Sequence, residues 1–411
     1  MLKGKHIVVG ISGGIAAYKI PELIRLLVKE GAEVRVTTTR NALQFVTETT
    51  LRTLSGHPVY SDVFAAVNEH STEHISLPEW ADLMLIAPAT ANVLGKMANG
   101  IADDALTTTF AACVARKPIV VAPAMNDRMY AAPATQAAFS ALVSQGVFLL
   151  DCADGFLACG TEGKGRMQEI DALSEACRTA LTPQTLVGKR VMITAGPTRE
   201  SIDPVRFVSN YSSGKMGFAI ARECLRRGAD VTLVAGPTEQ HITRFATFAS
   251  IRKSELKIVS VESAEQMYRA ASDSWKDTDI AILSAAVADF TPEHTAAEKI
   301  KKQSGQTQYM LPMVVTTDIA AALGKSKKAH QRLIGFALET ENAEQNAIKK
   351  LQSKNLDLVV LNSLRDEGAG FGCDTNKVTL ISAGAKENLP LLSKQEVASR
   401  IIDAIESDFI A

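Results

Sequence analysis

Residues 6–39 read HIVVGISGGIAAYKIPELIRLLVKEGAEVRVTTT, and this stretch decides the fold. An apolar run is followed by a Gly/Ser turn, an amphipathic segment, a Gly-Ala pair and a second run rich in β-branched residues. This order predicts a strand, a loop, a helix and another strand, which together start a parallel sheet. A similar order returns in VMITAGPTRES at 191–201 and SSGKMGFAIARECLRRGADVTLVAG at 212–236. Two such starts predict two nucleotide-type domains on one chain.

Length and composition favour the same division. A chain of 411 residues is too long for one ordinary core, and its hydrophobic share of 46% is typical of a globular protein. The net charge of −1, with no basic face, argues against nucleic acid or an anionic membrane as a partner. With no membrane-length apolar run and no signal peptide, we expect a cytoplasmic location. The six cysteines lack CxxC spacing and are predicted to be free thiols.

We predict an α/β fold of two doubly wound, Rossmann-like parallel-sheet domains, covering residues 1–188 and 189–411. The first has strands HIVVGI, AEVRVTTT, DLMLIAPA, PIVVAPAM and VFLLDC, with one helical stretch over 91–116. The second has strands RVMITAG, DVTLVAG, LKIVSV, DIAILSAA, RLIGFAL, LDLVVLN and KVTLIS. The glycine-dense segment 153–167 is interpreted as a surface loop or a lid, and the polar segment from Thr295 onward as mobile.

Several polar residues of the first half follow predicted strands, where such sheets bind ligands. The turn Ser12-Gly13-Gly14 lacks a GxGxxG or Walker pattern, so it is either a phosphate cradle or only a tight turn. Thr90 and Asn92 face the same choice between a ligand contact and a helix cap. Asn126 caps a helix or binds a carboxylate. His74 is a lone histidine, whereas Cys159 in the glycine-dense segment could bring an acid to a substrate.

Three residues of the second half suggest phosphate chemistry. Asn210 precedes the turn SSGKMG, and Asp289 follows a buried strand, where metal or ribose ligands belong. Lys299 lies in EKIKK, which is either a solvated surface or a source of positive charge for a triphosphate.

Together these segments resemble the bacterial bifunctional phosphopantothenoylcysteine decarboxylase / phosphopantothenate–cysteine ligase family of coenzyme A biosynthesis. The first half carries SGGIAAYK, HISL, APATAN, PAMN and ACG…GRM, and the second carries TAGPTRE, IDPVRFVSN, SSGKMG, SAAVAD, EKIKK and GFALETE. The resemblance implies an FMN-dependent decarboxylase domain followed by a CTP-dependent ligase domain. It also implies that the flavin oxidises the cysteine thiol before CO₂ leaves, and that it is reoxidised afterwards.

In the decarboxylase half the resemblance implies that His74 is the base, Asn126 holds the substrate carboxylate and Cys159 donates a proton. It places the FMN contacts at Ser12, Gly13, Gly14, Thr39, Thr90, Asn92 and Thr107.

In the ligase half it implies that Asn210 and Lys299 serve to form and consume an acyl-cytidylate, with Mg²⁺ at Asp289. It places the nucleotide contacts at Ser284, Ala285, Ala286, Asp289, Lys299, Asp318, Ile319, Phe336, Lys350 and Lys354.

The implied partners are 4'-phosphopantothenate, cysteine, CTP and 4'-phosphopantothenoylcysteine. The implied assembly is a homo-oligomer, with trimeric decarboxylase contacts, dimeric ligase contacts and a dodecamer overall. Tyr211, the pair Thr316-Thr317 and Tyr130 depart from the usual family pattern. Two alternatives stay open: only one active half, or a non-catalytic flavoprotein regulatory subunit. An NAD-linked oxidoreductase is disfavoured because no GxGxxG is present.

Overall fold

The computed structural model describes residues 2–64, 72–156, 160, 162–242, 254–302, 304, 306–339, 342–363, 370 and 372–407. Contacts divide them into two compact units, the first ending at Pro183 and the second beginning at Gln184.

The first unit alternates strands and helices. Its strands are β1 (His6–Ile11), β2 (Glu33–Thr38), β3 (Val59–Tyr60), β4 (Leu83–Ala89), β5 (Ile119–Pro123), β6 (Phe148–Leu149), β7 (Ala153–Phe156) and β8 (Glu162–Arg166). Its helices are α1 (Ile20–Lys29), α2 (Glu48–Ser55), α3 (Glu73–Trp80), α4 (Ala91–Ala98), α5 (Ala105–Cys113), α6 (Asp127–Ala131), α7 (Pro133–Ser144) and α8 (Ile170–Leu181). Two 3₁₀ turns cover Ile15–Lys19 and Arg40–Gln44.

Strands β1 to β6 form one parallel sheet in the order β3-β2-β1-β4-β5-β6. Helices cover both faces, which is why β4 is buried at every position. The apolar residues of α1 recur at i, i+3, i+4 and i+7 and pack against one face of the sheet: Ile20, Leu23, Ile24 and Leu27. The predicted doubly wound sheet is therefore confirmed for this unit.

Two local expectations for the first unit are wrong. The helical stretch predicted over 91–116 is two helices, because Gly100 has a left-handed φ of 70° and Asp104 starts α5 with a capping box to Thr107. The glycine-dense segment, interpreted as a surface loop or a lid, is not a plain loop, because it contains the antiparallel pair β7 and β8; the lid stays a prediction.

The second unit contains a larger sheet. Its strands are β9 (Arg190–Ala195), β10 (Arg199–Ser201), β11 (Phe207–Ser209), β12 (Asp230–Ala235), β13 (Leu256–Ser260), β14 (Ile280–Leu283), β15 (Phe290–Pro292), β16 (Met313–Val315), β17 (Arg332–Glu339), β18 (Leu358–Ser363), β19 (Thr375–Asn376), β20 (Val378–Ile381), β21 (Lys386–Asn388) and β22 (Leu392–Ser393). Its helices are α9 (Lys215–Arg226), α10 (Ala264–Trp275), α11 (Ile319–Lys325), α12 (Ala343–Ser353) and α13 (Lys394–Glu406).

The second sheet has the order β13-β12-β9-β14-β17-β18-β20-β21. The first six strands are parallel, as predicted, but β20 and β21 are antiparallel. A parallel neighbour needs a long crossover, whereas β20 and β21 are joined by a short turn closed by the bond from Ser382 N to Ala385 O (2.9 Å). The sheet is therefore mixed rather than wholly parallel.

Buried charges fasten the last helix of this unit to α9. The guanidinium of Arg227 donates to Glu223 (2.9 Å), Asp403 (2.7 Å) and Glu406 (2.6 Å), and it is 8% exposed. Because three carboxylates surround one buried cation, α9 and α13 are held in a single register.

The segment from Thr295 is better anchored than its composition predicts. Thr295 Oγ1 donates to Ser201 O at 3.0 Å, and Ile300 N donates to Asp203 Oδ2 at 3.1 Å. The Asp203 side chain is fully buried and also binds the guanidinium of Arg206, which holds its pKa well below the usual range. Residues 295–300 are therefore tied to the second unit by a buried carboxylate, while the mobility of the rest of the segment stays a prediction.

The loops after β9 and β12 meet closely at a glycine, which gives a stability test. A Cβ at Gly236 would lie 1.8 Å from Pro197 O, so Gly236→Ala requires the backbone to move. We expect a destabilisation of about 1–3 kcal/mol, seen as a lower calorimetric midpoint for the second unit. Gly384→Ala is the matched control, since nothing lies within 4 Å of its added Cβ. Equal midpoints for the two variants would contradict the close packing.

Candidate functional site

In the first unit a cleft opens where the strand order reverses. The chain passes from β1 outward to β3 on one side and from β4 outward to β6 on the other. The carboxyl ends of β1 and β4 therefore diverge into different loops, which is where such sheets bind ligands. The cleft has a volume of about 1200 Å³. Six of the residues singled out from the sequence line it: Gly13, Gly14, Thr39, Thr90, Asn92 and Asn126.

Ser12 lies beneath this cleft and does not line it. Its hydroxyl donates to Pro88 O (2.7 Å) and accepts from Thr90 N (2.9 Å), and the side chain is fully buried. Ser12 thus ties the end of β1 to the end of β4. The resemblance placed it among the FMN contacts, but the structure gives it an internal role.

The glycines after β1 are required by the closeness of the neighbouring loops. A Cβ at Gly13 would lie 2.5 Å from the Cβ of Asn41, and one at Gly14 would lie 3.2 Å from the side chain of Thr90. The turn therefore needs small residues for steric reasons. The same residues form the wall of the cleft, so both interpretations of the sequence apply.

Thr39 lines the cleft, and its buried hydroxyl has no protein partner among the described residues. The side chain is 8% exposed, and its Oγ1 has no hydrogen bond to the described residues. A buried hydroxyl without a partner is unfavourable by about 1–3 kcal/mol, so a ligand group that reached it would remove that cost. Thr38 carries the same feature but does not line the cleft.

Four cations that sequence reasoning missed also line the cleft: Lys19, Arg40, Lys96 and Arg166. Lys96 Nζ binds Asp103 at 2.7 Å, and this bond raises the pKa of Lys96 against the opposing effect of burial. Lys19 and Arg166 both bind the carboxylate of Glu169 at the start of α8. Among the described residues Arg40 forms no ion pair. Its charge favours an anionic ligand.

Asn126 performs the capping role and also lines the cleft. Its Oδ1 accepts from Arg128 N at 2.9 Å, at the start of the short helix α6. The segment is pressed against β8, because Met125 N donates to Gly165 O at 2.9 Å and a Cβ at Gly165 would lie 2.2 Å from Met125 O. The side-chain position of Asn126 is therefore fixed from two sides.

Two other residues of the first half, Thr107 and His74, do not line the cleft. Thr107 forms the capping box with Asp104 at the start of α5 and is 1% exposed, so it does not line the cleft. His74 lies in the first turn of α3 and is not among the lining residues. Cys159 lies outside the described residues.

The second unit has a corresponding reversal between β9 and β14. The side-chain amide of Asn210 donates to Ala286 O (3.0 Å) and Val287 O (3.2 Å), so Asn210 fixes the loop after β14. Ser284 Oγ donates to Thr194 O at 2.7 Å, across to β9. Asn210 and the predicted nucleotide-binding loop 284–286 are therefore in direct contact.

Two more predicted residues of the second unit are exposed: Asp289 and Lys299. The described part of the chain contains no group of three or more His, Cys, Asp or Glu side chains that could hold a metal ion. A metal at Asp289 would complete its coordination with other oxygen donors, such as waters, carbonyls or phosphates.

The remaining predicted nucleotide residues surround the ends of β17 and α12. Lys354 Nζ binds Asp318 at 2.8 Å, and Lys350 Nζ binds Glu339 at 2.6 Å. Burial acts to raise the pKa of Asp318, but Lys354 and the backbone N–H groups at the start of α11 outweigh it and lower that pKa. Phe336 is half-buried and Ile319 is buried.

In comparisons with known proteins, the two halves of the chain match two different family models. The model of the family "Flavoprotein" matches residues 1–182, and that of the "DNA/pantothenate metabolism flavoprotein C-terminal domain" matches residues 186–409. Of the helices that the structure describes, none is long and apolar enough to cross a membrane.

Relatives match along almost the whole chain. The coenzyme A biosynthesis bifunctional protein CoaBC of Bacillus subtilis (strain 168) is 45% identical over 409 residues, covering 98% of this chain and 97% of that protein. The CoaBC protein of Escherichia coli (strain K12) is 41% identical, with 98% and 97% covered. A cysteine/cysteine sulfinic acid decarboxylase from an unknown prokaryotic organism is 46% identical, with 88% and 98% covered.

Solved structures resemble single halves of the chain. The crystal structure of the C-terminal domain of CoaBC is 41% identical, covers 54% of this chain and 96% of its own, and has a TM-score of 0.44. A PPC decarboxylase mutant complexed with pantothenoylaminoethenethiol is 34% identical, covers 42% and 96%, and has a TM-score of 0.40. The full-length match to the Bacillus protein shows that this chain belongs to the family of the coenzyme A biosynthesis bifunctional protein CoaBC.

Proposed function

We propose that the chain converts 4'-phosphopantothenate to 4'-phosphopantetheine in two steps, one in each unit. The second unit joins 4'-phosphopantothenate to cysteine at the expense of CTP, through an acyl-cytidylate. The first unit then decarboxylates the 4'-phosphopantothenoylcysteine product with FMN. The observation that carries the proposal is the relation to CoaBC proteins over 98% of the chain, which includes both candidate sites.

The cleft of the first unit is suited to FMN. Its volume of about 1200 Å³ exceeds the range of roughly 300–1,000 Å³ for ordinary ligand sites, so a cofactor and a substrate fit together. Thr39 supplies an unpartnered hydroxyl, and Arg40 supplies a positive charge for an anionic group. When bound, FMN supplies an acceptor and later a donor of the substrate's electrons.

The chain's own groups would bind the substrate and move protons. The Asn126 side chain holds the substrate carboxylate, and its capping bond keeps it in place. His74 takes the thiol proton and Cys159 returns a proton to carbon. Because His74 does not line the cleft of its own unit, this role requires that it act in the cleft of a neighbouring subunit. A trimer of first units, with dimeric second units and a dodecamer overall, is therefore part of the proposal.

In the second unit the proposal assigns charge stabilisation to Lys299 and Asp289. The Lys299 side chain is exposed, but the neighbouring backbone is anchored through Asp203. The ammonium group therefore extends from a backbone that is held in place. Asp289 would hold Mg²⁺ together with the nucleotide phosphates, since Mg²⁺ is commonly bound by one or two carboxylates plus phosphates. The ion would neutralise charge that develops on the phosphates. Asn210 keeps the loop after β14 in shape for the nucleotide.

The experiment uses the full chain with 4'-phosphopantothenate, cysteine and CTP, and it follows pyrophosphate and CO₂ release separately. We expect pyrophosphate first and CO₂ afterwards. CO₂ release from cysteine or cysteine sulfinic acid alone would favour the second candidate function, the one named for the 46% identical relative. Release of neither product would contradict the proposal.

Flavin binding can be tested through the unpartnered hydroxyl. Thr39→Val keeps the shape but removes a bond that only the ligand can complete, so we expect about tenfold weaker FMN binding, equivalent to about 1.4 kcal/mol. The flavin-free variant should be at least as stable as the original, because an unsatisfied buried hydroxyl is gone. Thr38→Val is the control and should leave FMN affinity unchanged. FMN fluorescence titration and thermal unfolding measure both effects, and equal FMN affinities for the two variants would refute the contact.

The ligase site can be tested at Lys299. Lys299→Gln removes the charge that is proposed to face the nucleotide phosphates, so we expect pyrophosphate release from CTP to fall at least 100-fold. Lys302→Gln, an equally exposed change in the same segment, should release pyrophosphate normally. CO₂ release from supplied 4'-phosphopantothenoylcysteine should be intact in both variants. If both lysine variants were equally active in the ligase assay, Lys299 would have no special role.

A further inference from the structure

Asp151, a carboxylate outside the cleft, links helix α6 to the β7–β8 hairpin, and these two elements form one end of the cleft. Asp151 follows β6, and its side chain is 15% exposed. Its Oδ1 accepts from the hydroxyl of Tyr130 (2.6 Å) and from Cys152 N (2.9 Å), while its Oδ2 accepts from Lys164 Nζ (2.5 Å). Lys164 Nζ also lies 5.2 Å from the centre of the Tyr130 ring. Three elements, the end of β6, helix α6 and strand β8, therefore converge on one side chain.

Both partners of Asp151 are connected to residues of the cleft wall. Tyr130 N donates to Asn126 O at 2.9 Å, so the ring lies one helical turn from Asn126. Lys164 directly precedes Gly165, whose carbonyl accepts from Met125 N at 2.9 Å. Asn126, Met125 and Gly165 all line the cleft. A displacement of either partner is thus transmitted to the wall through one backbone bond.

Lys164 and Tyr130 both stay in the protonated forms that donate hydrogen bonds to Asp151. The bond to Asp151 raises the pKa of Lys164, which therefore stays charged at neutral pH. Burial raises the pKa of Tyr130, and the bond to Asp151 raises it further, so its hydroxyl stays protonated and donates. Charge-assisted bonds of this kind are short and directional, which suits them to fixing a position.

We propose that Asp151 is a positioning residue for the decarboxylation, and that it holds Asn126 and the β8 side of the cleft in the arrangement that the substrate carboxylate requires. The flavin side of the cleft, formed by loops after β1 and β2, does not depend on it. This inference rests on the proposed decarboxylase function of the first unit. It needs no contact between Asp151 and the substrate, since Asp151 is not a lining residue.

The test measures decarboxylation of 4'-phosphopantothenoylcysteine by the full chain. For Asp151→Asn we expect kcat to fall at least tenfold and KM to rise, with bound FMN per chain and ligase activity unchanged. Tyr130→Phe and Lys164→Met each remove one of its two side-chain bonds and should show smaller losses in the same direction. Lys164→Arg keeps a cationic donor and should recover most of the activity. Asp171→Asn, an exposed change in the same unit, is the matched control.

The outcomes separate positioning from a merely structural role. Loss of FMN and a lower thermal midpoint in proportion to the lost activity, with no recovery in Lys164→Arg, would overturn the proposal. Original kcat and KM in both Asp151→Asn and Lys164→Met would also overturn it. If the unaltered chain released no CO₂ from the substrate, the proposed function would fail and this inference with it. An active original chain with unaffected variants removes only the role of Asp151.

Discussion

In each unit a serine hydroxyl joins the ends of the two central strands between which the strand order reverses. Both candidate sites depend on this hydrogen bond. Ser12, after β1, donates to the carbonyl of Pro88 on β4 at 2.7 Å. Ser284, after β14, donates to the carbonyl of Thr194 on β9 at 2.7 Å. Each carbonyl also accepts the backbone N–H of the same serine at 3.2 Å, so the hydroxyl supplies a second bond where the loops part to form a crevice. A serine is small enough to make this second bond and leave the crevice open.

The sequence predicts the central strands because their burial on both faces demands continuous apolar runs. β1, β4, β9 and β14 are of this kind. The short strands were not predicted, and their residues show why. All three residues of β16 are exposed, so its pairing with β15 does not follow from a hydrophobic pattern. Antiparallel β21 likewise depends on a short turn.

The residues of the candidate site likewise fall into those that the sequence predicts and those that it does not. Topology is sufficient to place Gly13, Thr39 and Asn126 at a ligand-binding edge, because each follows a parallel strand. It cannot tell which hydroxyls are already used inside the protein, as are those of Ser12 and Thr107, which the resemblance places among the FMN contacts. Their partners come from distant loops or from a cap. Arg40 was missed because a single arginine after a strand carries no pattern of its own.

The two candidate sites hold their positive charge differently, and this has a consequence for ligand exchange. In the first unit no described carboxylate neutralises Arg40, so an anion meets an available charge. In the proposed nucleotide site Lys354 is already paired with Asp318, whose side chain is 49% exposed. An exposed pair of this kind contributes only about 0–1 kcal/mol, so a phosphate can displace the carboxylate with little loss. Under the proposed function, the carboxylate would keep the lysine ordered between turnovers and would yield to a more highly charged anion, so we expect binding there to be sensitive to ionic strength.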